Sequence, residues 1–372
     1  MRFASWITTE PTPLPFAPYV RRPSTKLPFP FDDPRCRIFS RSRHGLFTGL
    51  RSLGLGTGDE VLVPAYHHGA EVEALIQAGI VCRFYDAGLH LEPDERELDA
   101  LLGPRVRALY LTHVMGFPQD AAYWRSWCDK RELLLIEDAA QAWLSSRDGK
   151  SVGSYADLSI FSPHKTFGLP DGALLLSSRP PESPPPKRQL GLSELAVRHY
   201  KYIAQRWGWL ASLRHRSRRD RAEDGGSDPN AAFALSLHGD PSRGPYVSSR
   251  FLLSRVRYSD IQARRKANYT FLLDHLRDLV PVDFPTLTEG AAPFAFPIKT
   301  DRKTKLHEAL KQHGVNGLNF WAIPHPSLTV ENFPRAAELR RSIIALPVHQ
   351  ELGHRELEQI VEATLNSFQL LD

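Results

Sequence analysis

Between residues 41 and 178 the apolar positions switch repeatedly between two spacings. Segments where they recur every three to four residues predict helices over 44–53, 67–78, 93–102 and 119–130. Short apolar runs predict strands over 60–63, 80–85, 108–112, 133–136, 158–161 and 173–177. An unbroken run such as Leu133-Leu-Leu-Ile136 suits a strand buried on both faces, as in parallel sheets. The alternation predicts an α/β fold whose mostly parallel sheet is covered by helices on both faces. Open sheets of this kind bind ligands in loops at the carboxyl ends of strands, here 64–68, 113–116, 137–141 and 162–165.

Outside that stretch the pattern changes. Residues 1–40 carry Pro11, Pro13, Pro15, Pro18, Pro23, Pro28, Pro30 and Pro34, which predicts an extended arm across the body. A polyproline linker is expected over 179–187, a helix over 192–221, a loop over 223–230 and a long helix over 248–279. A strand at 294–298, a helix at 302–312, a strand at 343–346 and a helix at 355–370 then predict a small α/β unit. With 372 residues the chain exceeds what one core usually serves. The expected division is an arm (1–40), a large domain (41–250) with a basic helical insert at about 187–245, and a linking helix with a small carboxyl-terminal domain (251–372).

Composition narrows the class. Apolar residues make up 42% and charged residues 24%, as in ordinary globular proteins, and no apolar run reaches the roughly 20 residues of a spanning helix. The first ten residues lack the apolar core of an export signal, and the three cysteines are scattered, so a cytoplasmic setting is expected. A net charge of +5 favours anionic ligands without implying nucleic acid. Aromatic and basic residues mix in Tyr200–Arg214, as in interfacial helices. Gly208 and ordinary burial argue against membrane contact there. Nothing has the spacing of a metal site or a phosphate-binding Gly loop.

Candidate chemistry centres on Lys165, in the Pro- and Gly-rich stretch from Ile160 to Gly172, and on Asp138, at the end of an apolar strand. An amine held in a dry pocket beside a carbonyl cofactor becomes a Schiff-base catalyst, and pyridoxal phosphate (PLP) also needs a carboxylate for its pyridine nitrogen. Strand side chains alternate faces, so Glu137 and Asp138 cannot share one pocket, and Asp138 is the choice. Gln141 lies within reach of a ring hydroxyl. The competing reading makes Asp138 the cap of a helix over 139–144.

The blocks Gly58-Asp-Glu-Val-Leu-Val-Pro64, Ala108-Leu-Tyr-Leu-Thr-His113 with Gly116, and Glu137-Asp-Ala-Ala-Gln141 follow one another as in the DegT/DnrJ/StrS family of sugar aminotransferases, which this chain resembles over most of 41–178 and again near Leu346-Pro-Val-His-Gln350. The resemblance implies a fold type I PLP enzyme. In it Lys165 resembles the internal-aldimine lysine, Asp138 the partner of the pyridine nitrogen, Gln141 the residue near the ring oxygen, His68 the stacking side chain and Ser162 the phosphate-binding serine. The family's glycine-threonine pair is replaced by Ser42-Arg43-His44, where a helix amino terminus and Arg43 still suit a phosphate. No counterpart stands out for the asparagine loop that a neighbouring subunit inserts; Arg264-Arg-Lys-Ala-Asn-Tyr269 falls on the predicted long helix.

Three further residues are candidates for the substrate. His113 ends a strand and could act as a base, with a structural role as its alternative. Trp321 and His325 could close over a sugar ring or pack in a core. The expectation is a PLP-dependent aminotransferase, a homodimer, acting between a small-molecule amino donor such as glutamate and a keto-sugar, nucleotide-linked. The alternatives are a PLP enzyme with a non-sugar substrate and a non-catalytic homologue serving as a scaffold.

Overall fold

The computed structural model describes residues 7–9, 17–24, 26–182, 185–186, 189–206, 244–282, 284 and 286–371. Its main sheet has seven strands, in the order Arg37–Phe39, Ala173–Ser177, Leu158–Phe161, Leu134–Ala139, Val106–Thr112, Glu60–Pro64 and Val81–Tyr85. The last five run parallel, while Ala173–Ser177 and Arg37–Phe39 add antiparallel pairings at one edge. Burial explains the apolar runs: Leu62, Leu109 and Leu135 face one set of helices and Val61, Ala108 and Ile136 the other, all at 0% exposure.

A second, three-stranded antiparallel sheet is built from Ala295–Lys299, Ile343–Pro347 and Leu318–Asn319. Its core takes in Ala65, Tyr66, Val114, Met115 and Phe117 from loops of the main sheet. One apolar cluster therefore joins the second sheet to loops of the main sheet. The arm is pinned as well: Ile7–Thr8 pairs with Val315–Asn316, and Trp143 Nε1 donates to the Phe29 carbonyl at 3.0 Å.

The long helix expected over 248–279 is two helices, Val247–Leu253 and Ile261–Leu276. Asp260 sits at φ 71, a left-handed turn that Asp tolerates better than most side chains, and it breaks the run. The expected helix over 67–78 begins only at Ala70, after Gly69 at φ 106. A glycine is suited to that turn. No helix forms over 139–144, where the strand continues to Ala139. Of the helix expected over 192–221, Leu192–Arg206 is present; its remainder, the loop over 223–230 and the end of the aromatic-basic stretch lie outside the described residues. Among the described residues no helix is long and apolar enough to cross a membrane, and no cluster of His, Cys, Asp or Glu could hold a metal ion.

Two buried imidazoles make the fold acid-sensitive. His67 and His349 are 0% and 3% exposed, and desolvation, with Arg340 and Arg265 nearby, lowers each pKa from 6.5 to about 3. The unfolded chain protonates these rings near pH 6.5 and the folded chain only near 3. Stability present above pH 6.5 is therefore lost as pH falls toward 3, at about 1.4 kcal/mol per histidine per pH unit. The melting temperature is expected to drop between about pH 6.5 and pH 5, and His349→Asn to shallow that drop. Parallel pH profiles for the two proteins would overturn the assignment.

Candidate active site

At the carboxyl ends of the parallel strands, facing the second sheet, lies a cavity of about 240 Å³. Lys165, Asp138, Gln141 and His68 line it, as do Ser42, Arg43 and Ser162 at one end and His113 and Trp321. Strands from the middle of the sheet place these groups, with Thr112 opposite Asp138 in register.

Asp138 is buried with both carboxylate oxygens engaged. Oδ1 accepts from Ala140 N at 2.9 Å and Oδ2 from the Tyr110 hydroxyl at 2.8 Å. Burial, then the neighbouring Glu71, raise its pKa, while Lys165 and the two hydrogen bonds pull it down. Glu137 points the other way, as strand alternation requires, and accepts from Gly153 N and Tyr155 N at 2.8 and 3.0 Å. The competing helix-cap role for Asp138 has no helix to serve.

Lys165 sits on a single helical turn, Pro163–Thr166, started by a proline at the first position. His164 Nδ1 donates to Gly172 O at 2.9 Å, and Gln350 Nε2 from the second sheet's side donates to Thr166 O at 2.8 Å. The turn is thus held from both sides of the cleft. Gln141 Oε1 accepts from Met115 N at 2.7 Å, which leaves its amide nitrogen as the donor for the cavity. His68 is open to the cavity, and the surrounding protein, then Lys165 and Arg43, lower its pKa. Its ring is neutral at pH 7.

The other end suits an anion. Ser42 opens the helix Ser42–Ser52, whose first two N–H groups, of Ser42 and Arg43, precede the first bonds to the Arg41 carbonyl and have no helical acceptor, and its hydroxyl bonds Ser162 Oγ and the Phe161 carbonyl. Arg43 Nε is buried without a hydrogen-bond partner. Buried donors rarely stay unpaired, so the donor set fits an oxygen-rich, negatively charged group. A lysine, a carboxylate and an anion cradle around a cavity of this size fit pyridoxal phosphate.

Two expected residues fall outside the lining. His44 turns back to Ser40 Oγ at 2.8 Å. His325 is tied to Glu73 Oε2 at 3.0 Å and to Ser327 Oγ at 2.8 Å. His113 lines the cavity but is no base: Gln119 N donates to its Nδ1, so Nε2 carries the proton and donates to Glu137 Oε2 at 3.0 Å. Both nitrogens are committed to structure. Asn268 bonds the carbonyls of Val348 and His349 within its own chain. Trp321 is in both places at once, lining the cavity while packed on Phe320 at 4.4 Å between ring centroids.

Tyr110, Glu71 and Thr112 belong to the site and were not expected there. Period-two parity with Thr112 would have found Tyr110. A hydrogen bond to a buried carboxylate is worth roughly 1.5–3 kcal/mol, so Tyr110→Phe is expected to lower kcat about 10-fold and to shift the visible absorption of the PLP-loaded protein. A variant with wild-type turnover and spectrum would show that the Tyr110 hydroxyl is dispensable.

The sequence model of the DegT/DnrJ/EryC1/StrS aminotransferase family matches residues 37–180 and 252–365. The dTDP-3-amino-3,4,6-trideoxy-alpha-D-glucose transaminase of Streptomyces venezuelae is 27% identical over 335 residues, 84% of this chain and 78% of that protein. GDP-perosamine synthase of Vibrio cholerae is 31% identical over 136 residues, 36% of this chain and 37% of that protein. In fold, the chain is similar to Helicobacter pylori PseC, an aminotransferase involved in the biosynthesis of pseudoaminic acid, with TM-score 0.68 at 16% identity over 98% of this chain and 100% of that one. NtdA from Bacillus subtilis, solved with bound cofactor PMP, gives TM-score 0.62 at 18% identity over 90% of this chain and 73% of that one.

Proposed function

The chain belongs to the DegT/DnrJ/EryC1/StrS aminotransferase family, and on that premise we propose that it moves an amino group from a small-molecule donor to a nucleotide-linked keto-sugar, with pyridoxal phosphate at the Lys165–Asp138 cavity. The observation that carries this reading is the convergence of Lys165, Asp138 and the donors of Ser42, Arg43 and Ser162 on one cavity. The sugar transaminase names of the relatives support the acceptor class.

When bound, the cofactor supplies an aldehyde to carry the amino group and a ring that accepts electron density from the substrate carbon. Lys165 Nζ would hold it covalently, give way to the donor amine, and then move a proton to and from the reacting carbon. The Asp138 carboxylate would keep the pyridine nitrogen protonated, and Gln141 Nε2 would donate to the ring oxygen. Ser42, Ser162 and Arg43 would take the phosphate. The neutral imidazole of His68 would offer a flat face to the ring without adding a competing charge, and the Trp321 side chain would cover part of the cavity with an apolar surface.

The proposal keeps residues 41–250 as the cofactor-holding part and 251–372 as the smaller part closing the cleft. It extends to a cytoplasmic homodimer: Cys36, Cys82 and Cys128 are free thiols, as suits a reducing compartment, and light scattering should give twice 42.0 kDa.

The decisive experiment is incubation with pyridoxal phosphate, visible spectroscopy, borohydride reduction and peptide mapping. A visible band with the label on Lys165 is expected, and no band would favour the scaffold alternative. Amino transfer to keto-sugar nucleotides but not to simple keto acids separates the two enzymatic readings.

A further inference from the structure

Arg340 is a buried charge that the proposed chemistry does not use. It lies near the end of the helix Pro334–Ser342 at 4% exposure. Nη1 donates to the carbonyls of Trp321 and His67 at 2.6 and 3.1 Å, and Nη2 to the carbonyl of Ala65 at 2.7 Å. The guanidinium carbon stands 5.7 Å from the Tyr66 ring centroid. Burying a guanidinium is costly, and burial brings its pKa down to about 10. Three carbonyls from two separate segments hold it in place.

Both segments lead into the cavity lining, at His68 and at Trp321. Ala65 and His67 precede His68 on the loop leaving Glu60–Pro64, whereas Trp321 comes from beside the second sheet. Trp321 is held at φ 42, a backbone region that a large side chain rarely adopts, and its carbonyl makes the shortest of the three bonds. A planar fork with donors on several edges can bind all three carbonyls at once, which an ammonium cannot do with the same geometry.

We infer that Arg340 is a positioning residue that fixes the His68 and Trp321 segments of the cavity lining relative to each other, and with them the seat of the cofactor ring. The inference rests on the reading of this cavity as the PLP site. The same helix supplies its own control. At its other end the Asp86 carboxylate accepts from Ala336 N and Arg335 N at 2.8 and 3.0 Å. That contact also fastens the helix to the main sheet, but Asp86 is not in the cavity lining. Loss of either end loosens the joint between the sheets; only loss of Arg340 releases the two lining segments.

The test compares Arg340→Lys and Asp86→Asn in the full chain, using pyridoxal phosphate as probe. Three quantities are read: melting temperature, dissociation constant, and visible circular dichroism of the bound cofactor, which reports ring orientation. Arg340→Lys is expected to weaken binding about ten-fold and to change the sign or intensity of the dichroic band. Asp86→Asn is expected to lower the melting temperature and leave the band unchanged. Trp321→Phe added to Arg340→Lys should change the band by less than it does alone, since both act on the Trp321 segment. If Arg340→Lys does not fold, Arg340→Gln, which keeps two amide donors, replaces it. Dichroism that follows melting temperature alike in the Arg340 and Asp86 variants overturns the inference. A wild-type protein with no visible band overturns the PLP reading and this inference with it.

Discussion

Lys165→Ala is expected to abolish amino transfer, with turnover lower by about 10⁴-fold or more, while the protein folds and melts much as the wild type does. Lys165 is half-buried on a four-residue helical turn, and the turn is secured by other groups: His164 to Gly172 and Gln350 to Thr166. Removing the side chain therefore deletes an amine without unfastening its support. Borohydride should no longer fix pyridoxal phosphate to the chain, although the anion cradle at Ser42, Arg43 and Ser162 still binds it reversibly. The comparison is made by steady-state kinetics and by mass spectrometry of the reduced protein. A Lys165→Ala protein that keeps appreciable turnover, or that still takes up the label at another lysine, would remove this residue from the reaction.

Much of this site is legible in the sequence because it hangs on the parallel strands. Strands buried on both faces leave unbroken apolar runs, so Leu133-Leu-Leu-Ile136 marks its own carboxyl end and hence the place of Asp138. The alternation that separates Glu137 from Asp138 is equally local, and the structure gives the two acids opposite tasks, one bracing His113 and one facing the cavity.

What could not be read depends on contacts between distant segments. The Tyr110 hydroxyl meets a carboxylate 28 positions later, and Arg340 reaches carbonyls up to 275 positions away. Neither partner leaves a spacing in the chain. His325 and His44 carried the right chemistry but were claimed by Glu73 and Ser40, a competition that only the packing decides. The helix Pro334–Ser342 escaped notice since its buried face rests on Ala336, Ala337 and Leu339 with the charged Arg340 among them, which blurs the apolar stripe.

Asp138→Asn separates function from stability with opposite signs. The carboxylate lies in the protein interior with its pKa raised, mainly by burial and then by Glu71, so keeping it ionised at neutral pH works against folding. A neutral amide of the same shape removes that cost, although only its oxygen accepts, so it can serve one of the two donors that Asp138 satisfies, Ala140 N and the Tyr110 hydroxyl. The melting temperature is therefore expected to stay level or rise slightly. Turnover moves the other way, because an amide cannot hold a proton on the pyridine nitrogen through a full negative charge. Loss of one preorganised electrostatic partner of this kind costs roughly 10²–10³-fold in kcat. Absorption of the loaded protein across pH should show the change in ring protonation directly, with Asp138→Glu recovering part of it. Near-normal kcat in Asp138→Asn would mean that the ring nitrogen is not served by this carboxylate, and the orientation of the cofactor in the cavity would have to be reversed.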